Sequence, residues 1–110
     1  MSKPYLTEAP TRADIEALPG TTVLEFGTDW CAFCQAAQDP IQAALAQHPG
    51  IRHIKVEDGA GRALGRSFGV KLWPTLVLLQ DGQQQDKLVR PTHVHSVEQA
   101  LRQLDTNAAP

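Results

Sequence analysis

An α/β fold, with one central mixed β-sheet and helices on both faces, is the architecture this sequence predicts. Three observations predict it. The apolar period switches repeatedly between helical and strand spacing along the chain. Two early strands are separated by a long helix, which implies a parallel pair. Asp81-Gly82 between two later apolar segments marks an antiparallel hairpin. Parallel and antiparallel pairs together make a mixed sheet that helices cover on both sides.

Taken in order, Thr11-Arg12-Ala13-Asp14 reads as a helix start, with Thr11 as cap and Pro19-Gly20 as the stop. Thr22 to Phe26 is a short apolar strand, broken by Gly27. Trp30 to about His48 is the strongest helix, ended by Pro49-Gly50. Ile51 to Val56 is a second strand, rich in β-branched residues. Ala60 to Phe68 is a weak helix diluted by Gly61 and Gly65. Thr75 to Leu79 is the third strand, and Lys87-Leu88-Val89 pairs back across the hairpin, with Gln83-Gln84-Gln85 in the turn. Ser96-Val97-Glu98-Gln99 has the form of a capping box opening a last helix, whose apolar stripe is Val97, Ala100, Leu101 and Leu104.

The 110 residues suit a single domain, 1–110, with frayed ends expected over 1–4 and 106–110. The chain is 42% hydrophobic and 20% charged, carries a net charge of −2, and scatters its Lys and Arg. That balance argues against a nucleic-acid footprint or a membrane patch. Leu76 to Leu79 is too short an aliphatic run to span a bilayer, and Met1 to Leu6 lacks a signal-peptide core. A cytoplasmic monomer is expected.

The two cysteines, Cys31 and Cys34, are separated by two residues. A disulfide closing so small a loop restrains the unfolded chain little, so stability is a poor reason for the pair. Redox chemistry, half of a metal site, and two inert thiols remain. The pair sits where a buried strand enters a helix N-terminus, and unpaired N–H groups and the helix dipole there stabilise a thiolate. Helical spacing aligns Cys31 with Gln35, Gln38 and Gln42, and Cys34 with Ala37, Ile41, Ala44 and Leu45. Cys31 is therefore expected to be accessible and Cys34 sheltered. That asymmetry suits disulfide exchange, with Cys31 attacking and Cys34 resolving.

Trp30-Cys31-Ala32-Phe33-Cys34, followed by Phe68-Gly69-Val70-Lys71-Leu72-Trp73-Pro74-Thr75, resembles the thioredoxin family across nearly the whole chain. The resemblance implies a thioredoxin-like fold and a thiol–disulfide oxidoreductase that reduces protein disulfides through Cys31 and Cys34. No metal or organic cofactor is needed, and an upstream disulfide reductase supplies the electrons. It further implies a cis Pro74 packed against the cysteine pair and a substrate platform of Trp30, Trp73, Pro74 and Thr75. Backbone beside that proline pairs with an extended client segment. Glu25 falls where the family carries a buried acid, its pKa raised by desolvation, that accepts the Cys34 proton.

The chain departs from the family pattern in five places. Ala32-Phe33 replaces Gly-Pro between the cysteines, Glu25 replaces Asp, and Gln35 replaces a basic residue. Trp73 stands before the proline, and Arg90-Pro91-Thr92-His93 stands where a glycine opens the docking surface. A narrowed client range is expected. Two other readings stay open: a binding module whose redox activity is vestigial, and a metal-handling thiol protein with His93 and His95 completing a zinc site. His48 reads as a donor to its own helix end, and His53 with Lys55 as a polar strand face. No His is placed beside Cys31 for a hydrolase. Gly59, Gly61 and Gly65 miss the dinucleotide-loop spacing.

Overall fold

The computed structural model describes residues 3–108. In chain order its elements are α1 (Arg12–Glu16), β1 (Thr21–Gly27), α2 (Ala32–Leu45), β2 (Arg52–Glu57), α3 (Ala63–Ser67), β3 (Thr75–Gln80), β4 (Gln83–Val89) and α4 (Val94–Ala108). The sheet order is β2-β1-β3-β4, with β1 and β2 parallel and the remaining neighbours antiparallel. No described helix is long and apolar enough to cross a membrane.

Alternation along the two central strands builds a core on each face of the sheet. Val23, Leu76 and Leu78 meet Ile41 and Ala44 of α2 and Val97, Leu101 and Leu104 of α4. Leu24, Phe26, Val77 and Leu79 meet Ile15 of α1 and Leu64 of α3, with Phe68 beside them. Strands covered on both sides have no face left for polar residues, hence their near-continuous apolar sequence. Glu25 is the one charged residue of these two strands, fully buried in the middle of β1.

Several boundaries move, each for a local reason. Cys31 is the N-cap of α2 rather than a residue of its first turn. The helix ends at Leu45, and the His48 ring turns away from its own helix end to Asp105 and, at 3.1 Å, Glu98 of α4. Positive φ at Gly59 (144°) and Gly61 (80°) keeps the chain out of helix until Ala63. Gln83 and Gln84 are strand residues opposite Gln80 and Leu79, because the two-residue turn Asp81-Gly82 lets pairing resume at once. Helix α4 starts at Val94, so Ser96 caps nothing, and its hydroxyl donates to the His93 carbonyl at 3.0 Å.

Helix also replaces the fraying expected at 106–108, while Ala109 and Pro110, like Met1 and Ser2, lie outside the described residues. Near the other end the chain docks on the free edge of β2. Leu6 bridges Val56, its N–H donating to the Lys55 carbonyl at 2.8 Å while Glu57 N–H donates back at 2.9 Å. Tyr5 is thereby carried into the interior.

The hairpin turn is also a packing point. Gly82 has φ 78°, and a Cβ there would overlap the backbone carbonyl of Glu16 at the end of α1. Gly82→Ala is expected to cost about 1–3 kcal/mol, through overpacking and a left-handed backbone that alanine tolerates poorly. A urea melt should show a lower midpoint at unchanged slope.

Candidate active site

Cys31 caps α2 and Cys34 lies in its first turn, beyond the C-terminal end of β1. The Cys31 sulfur accepts the Cys34 backbone N–H at 3.2 Å, the N-cap role usually filled by an oxygen, which holds the sulfur against the positive end of the helix. Both cysteines are free. Cys31 is 8% exposed and Cys34 1%. The order matches the helical-stripe expectation, but Cys31 presents only its edge to solvent, because capping turns the sulfur inward.

Burial pushes the Cys34 thiol up to about 12, reinforced by its hydrogen bond with Cys31 and opposed by the Thr28 backbone N–H. A thiol so held is protonated at neutral pH and needs a base. Glu25 is the carboxylate joined to Cys34 through Gln38, whose Nε2 also donates to the Cys34 carbonyl at 2.8 Å. Burial alone drives its pKa up, as expected from the sequence. Donors from His53, Tyr5 and Gln38 outweigh burial and hold it below the usual carboxylate range. His53 Nε2 lies 2.8 Å from Glu25 Oε1, Gln38 Nε2 donates to Oε2 at 2.9 Å, and the Tyr5 hydroxyl donates to Oε2. The expectation of a raised Glu25 pKa is thus corrected. Glu25 is an ionised acceptor.

Lys55 completes this buried layer. It is 2% exposed, with Nζ donating to Gln38 Oε1 at 2.8 Å and lying 4.3 Å from the centre of the Tyr5 ring. Desolvation lowers its pKa, against the pull of Glu25 and Asp29. Parallel pairing sets Val23 opposite His53 and Glu25 opposite Lys55. Alternation then aims His53 and Lys55 at the face that carries Glu25. Lys55 is buried and His53 partly so, where composition suggests a solvated strand face.

Around the sulfurs lies an apolar rim. Trp30 is 72% exposed and Phe33 59%, with Leu72 also exposed. Trp73 is half-buried against Tyr5, Cys31 and Cys34, and it meets Trp30 edge-on at 5.9 Å. Its indole N–H donates to Asp58 Oδ2 at 2.9 Å, which fixes the ring. The Trp73–Pro74 peptide bond is cis, as the resemblance implies. Pro74 and Thr75 are buried, and the Thr75 hydroxyl closes the turn by donating to the Leu72 carbonyl at 2.6 Å. Of the expected platform, Trp30 and Trp73 therefore present side chains, whereas Pro74 and Thr75 can present only backbone.

Arg90 occupies part of that backbone. Its Nε donates to the Trp73 carbonyl at 2.9 Å, its own N–H donates to the Pro74 carbonyl at 2.8 Å, and its guanidinium stacks 4.1 Å from the Phe33 ring centre. His93 precedes α4 and His95 lies in its first turn, and among the described residues no group of three or more His, Cys, Asp or Glu is arranged to hold a metal ion.

Comparisons with known proteins agree with this geometry. Residues 4–103 match the family model described as Thioredoxin. The structure of thioredoxin 2 from Pseudomonas aeruginosa PAO1 in its reduced form superposes with a TM-score of 0.88 at 48% identity, covering 97% of this chain and 99% of the other. Thioredoxin Asp f 28 of Aspergillus fumigatus is 26% identical over 85 residues, 77% of this chain and 79% of its own length. A thioredoxin of Chlamydia muridarum is 29% identical over 70 residues, covering 64% and 69% of the two chains.

Proposed function

From the premise that the chain belongs to the thioredoxin family, and is a thiol–disulfide oxidoreductase acting on protein disulfides with a reductase partner, we propose that Cys31 and Cys34 divide the reaction between them. The Cys31 thiolate attacks one sulfur of a client disulfide, breaking that bond and releasing one client thiolate. Cys34, once deprotonated, attacks Cys31 in the mixed disulfide, releasing the second client thiolate and leaving a Cys31–Cys34 disulfide. Glu25 receives the Cys34 proton. Two electrons from the upstream disulfide reductase restore the dithiol.

The observation that carries this assignment is the asymmetry of the two sulfurs. Cys31 reaches the surface at a helix N-terminus inside an apolar rim, and Cys34 lies beneath it, joined through Gln38 to the Glu25 carboxylate. Cys34 becomes easier to deprotonate once Cys31 is linked to a client, because the hydrogen bond through which Cys31 raises the Cys34 pKa is then altered. Both cysteines of the chain serve this site and none is left for a structural bridge, which fits the cytoplasm as the compartment. One domain acting as a monomer suffices.

The equilibrium reduction potential of the Cys31–Cys34 couple in defined thiol buffers tests the reading. A value near −270 mV supports a disulfide reductase, and one above about −200 mV overturns that direction in favour of oxidation or isomerisation.

Client access is set by Arg90. An extended client that pairs with the backbone at Trp73 and Pro74 must displace the Arg90 guanidinium from the Trp73 carbonyl. Arg90→Ala is therefore expected to lower KM for a protein disulfide roughly 2- to 10-fold, the equivalent of one hydrogen bond no longer in competition, with kcat unchanged. Steady-state reduction of insulin checks it, and an unchanged KM sinks the gating role.

A further inference from the structure

We propose that Tyr5 is a catalytic residue of the resolving step, passing the Cys34 proton to Glu25 and thereby setting the resolution rate. This rests on the assignment of Cys34 as resolving thiol and goes beyond it.

The observation is where the hydroxyl lies. The Tyr5 ring is 4% exposed and packs against Cys34, and its hydroxyl donates to Glu25 Oε2. Gly27 gives the two room to meet. A Cβ at that position would stand 2.6 Å from Cys34 Sγ and 2.8 Å from Tyr5 Oη. A phenol has one proton to donate and lone pairs to accept with. Because that proton is directed at Glu25, the oxygen keeps a lone pair with which to take up the Cys34 proton. Three features hold the ring in this pose: the Leu6 bridge to β2, the Tyr5 backbone N–H donating to Asp29 Oδ1 at 3.1 Å, and the Lys55 ammonium over the ring.

The step balances without any added reagent. The S–H proton of Cys34 moves to Tyr5 Oη as the Oη–H proton moves to Glu25 Oε2. The phenol is regenerated, the carboxylate becomes a carboxylic acid, and the Cys34 thiolate is free to attack the Cys31 sulfur. His53 and Gln38, already bonded to Glu25, keep its two oxygens in place during the transfer. The titratable groups facing the cluster are Tyr5 from the N-terminal segment, Asp29 from the loop after β1, Cys31 and Cys34 at α2, and His53 and Lys55 from β2. A pocket of about 50 Å³ beside Tyr5, Cys34, Gln38 and Lys55 has room for about one water, which is the competing acceptor.

A symmetrical nitroaryl disulfide separates the two half-reactions, because attack by Cys31 releases one coloured aryl thiolate and resolution by Cys34 releases the second. In Tyr5→Phe, which keeps the ring beneath Lys55, the first release should be unchanged. The second should slow by on the order of 10²-fold at neutral pH, the usual scale for losing a proton-transfer group. The deficit should close as pH approaches the ionisation of Cys34, where no acceptor is needed. Glu25→Gln should show the same split, and the double variant should be no slower than the slower single, as for members of one relay.

A second release in Tyr5→Phe as fast as the parent's overturns the relay and leaves the proton to water. So does a double variant whose losses multiply. The parent needs no substitution to be tested: its second release should be slower in D2O, because a proton moves in the rate-setting step, and equal rates overturn the proposal even where a variant fails to fold. A second release that persists in Cys34→Ser would strike the underlying cysteine assignment instead.

Discussion

Cys34→Ser is expected to accumulate as a covalent adduct with its protein disulfide substrate, while Cys31→Ser forms no adduct and loses turnover by on the order of 10³-fold or more. The asymmetry follows from position. A serine at 31 removes the sulfur that reaches the apolar rim, and the remaining thiol is 1% exposed with its pKa pushed up to about 12, so it cannot substitute. A serine at 34 leaves attack intact and deletes only the group that clears the intermediate. Non-reducing electrophoresis after a single mixing with oxidised insulin separates the two; adduct from Cys31→Ser alone would reverse the assigned roles, and equal adduct from both would abolish the division.

Glu25→Ala should be the most costly substitution for stability outside the hydrophobic core. It removes the acceptor shared by Tyr5, His53 and Gln38 and the counter-charge to Lys55, all in a layer that water barely enters. Removing one member of such a buried set costs about 3–5 kcal/mol. Its pH dependence has a definite sign. The folded-state pKa of Glu25 lies below the ordinary value of 4.5, so its contribution is fully present above that value. The contribution fades as pH falls through the lower folded value. Denaturant melts of parent and variant should therefore differ by a constant amount from pH 6 to 8 and converge under acid. A gap that widens under acid contradicts an ionised Glu25.

The part of the site that depends on local order was legible in the sequence. Cys31, Cys34, Trp30 and Pro74 lie at helix and strand boundaries that spacing and turn residues mark, and Glu25 stands out as a charge inside an apolar strand. What escaped depends on register. His53 and Lys55 read as a wet strand face because no residue near them shows that β1 lies alongside in parallel with Glu25 opposite Lys55. Their i, i+2 spacing did place them on one face, and only the choice of face was open. Tyr5 lies outside every periodic segment, and its placement comes from two backbone hydrogen bonds to β2 at Leu6. Asp58 looked like part of a glycine-rich turn, yet it anchors Trp73.

The edge-on contact of Trp30 with Trp73 has a consequence for how the protein can be observed. These are the chain's two tryptophans, and they stand together over the sulfur pair. The intrinsic fluorescence of the molecule is therefore a local signal: one indole is largely in water, and the other is tethered to a carboxylate and packed against both cysteines. Emission will follow the oxidation state of the couple and the arrival of a client without any attached dye. In a denaturation experiment it will report loosening of this one corner, while the two apolar layers flanking the sheet stay dark to it and must be followed by circular dichroism.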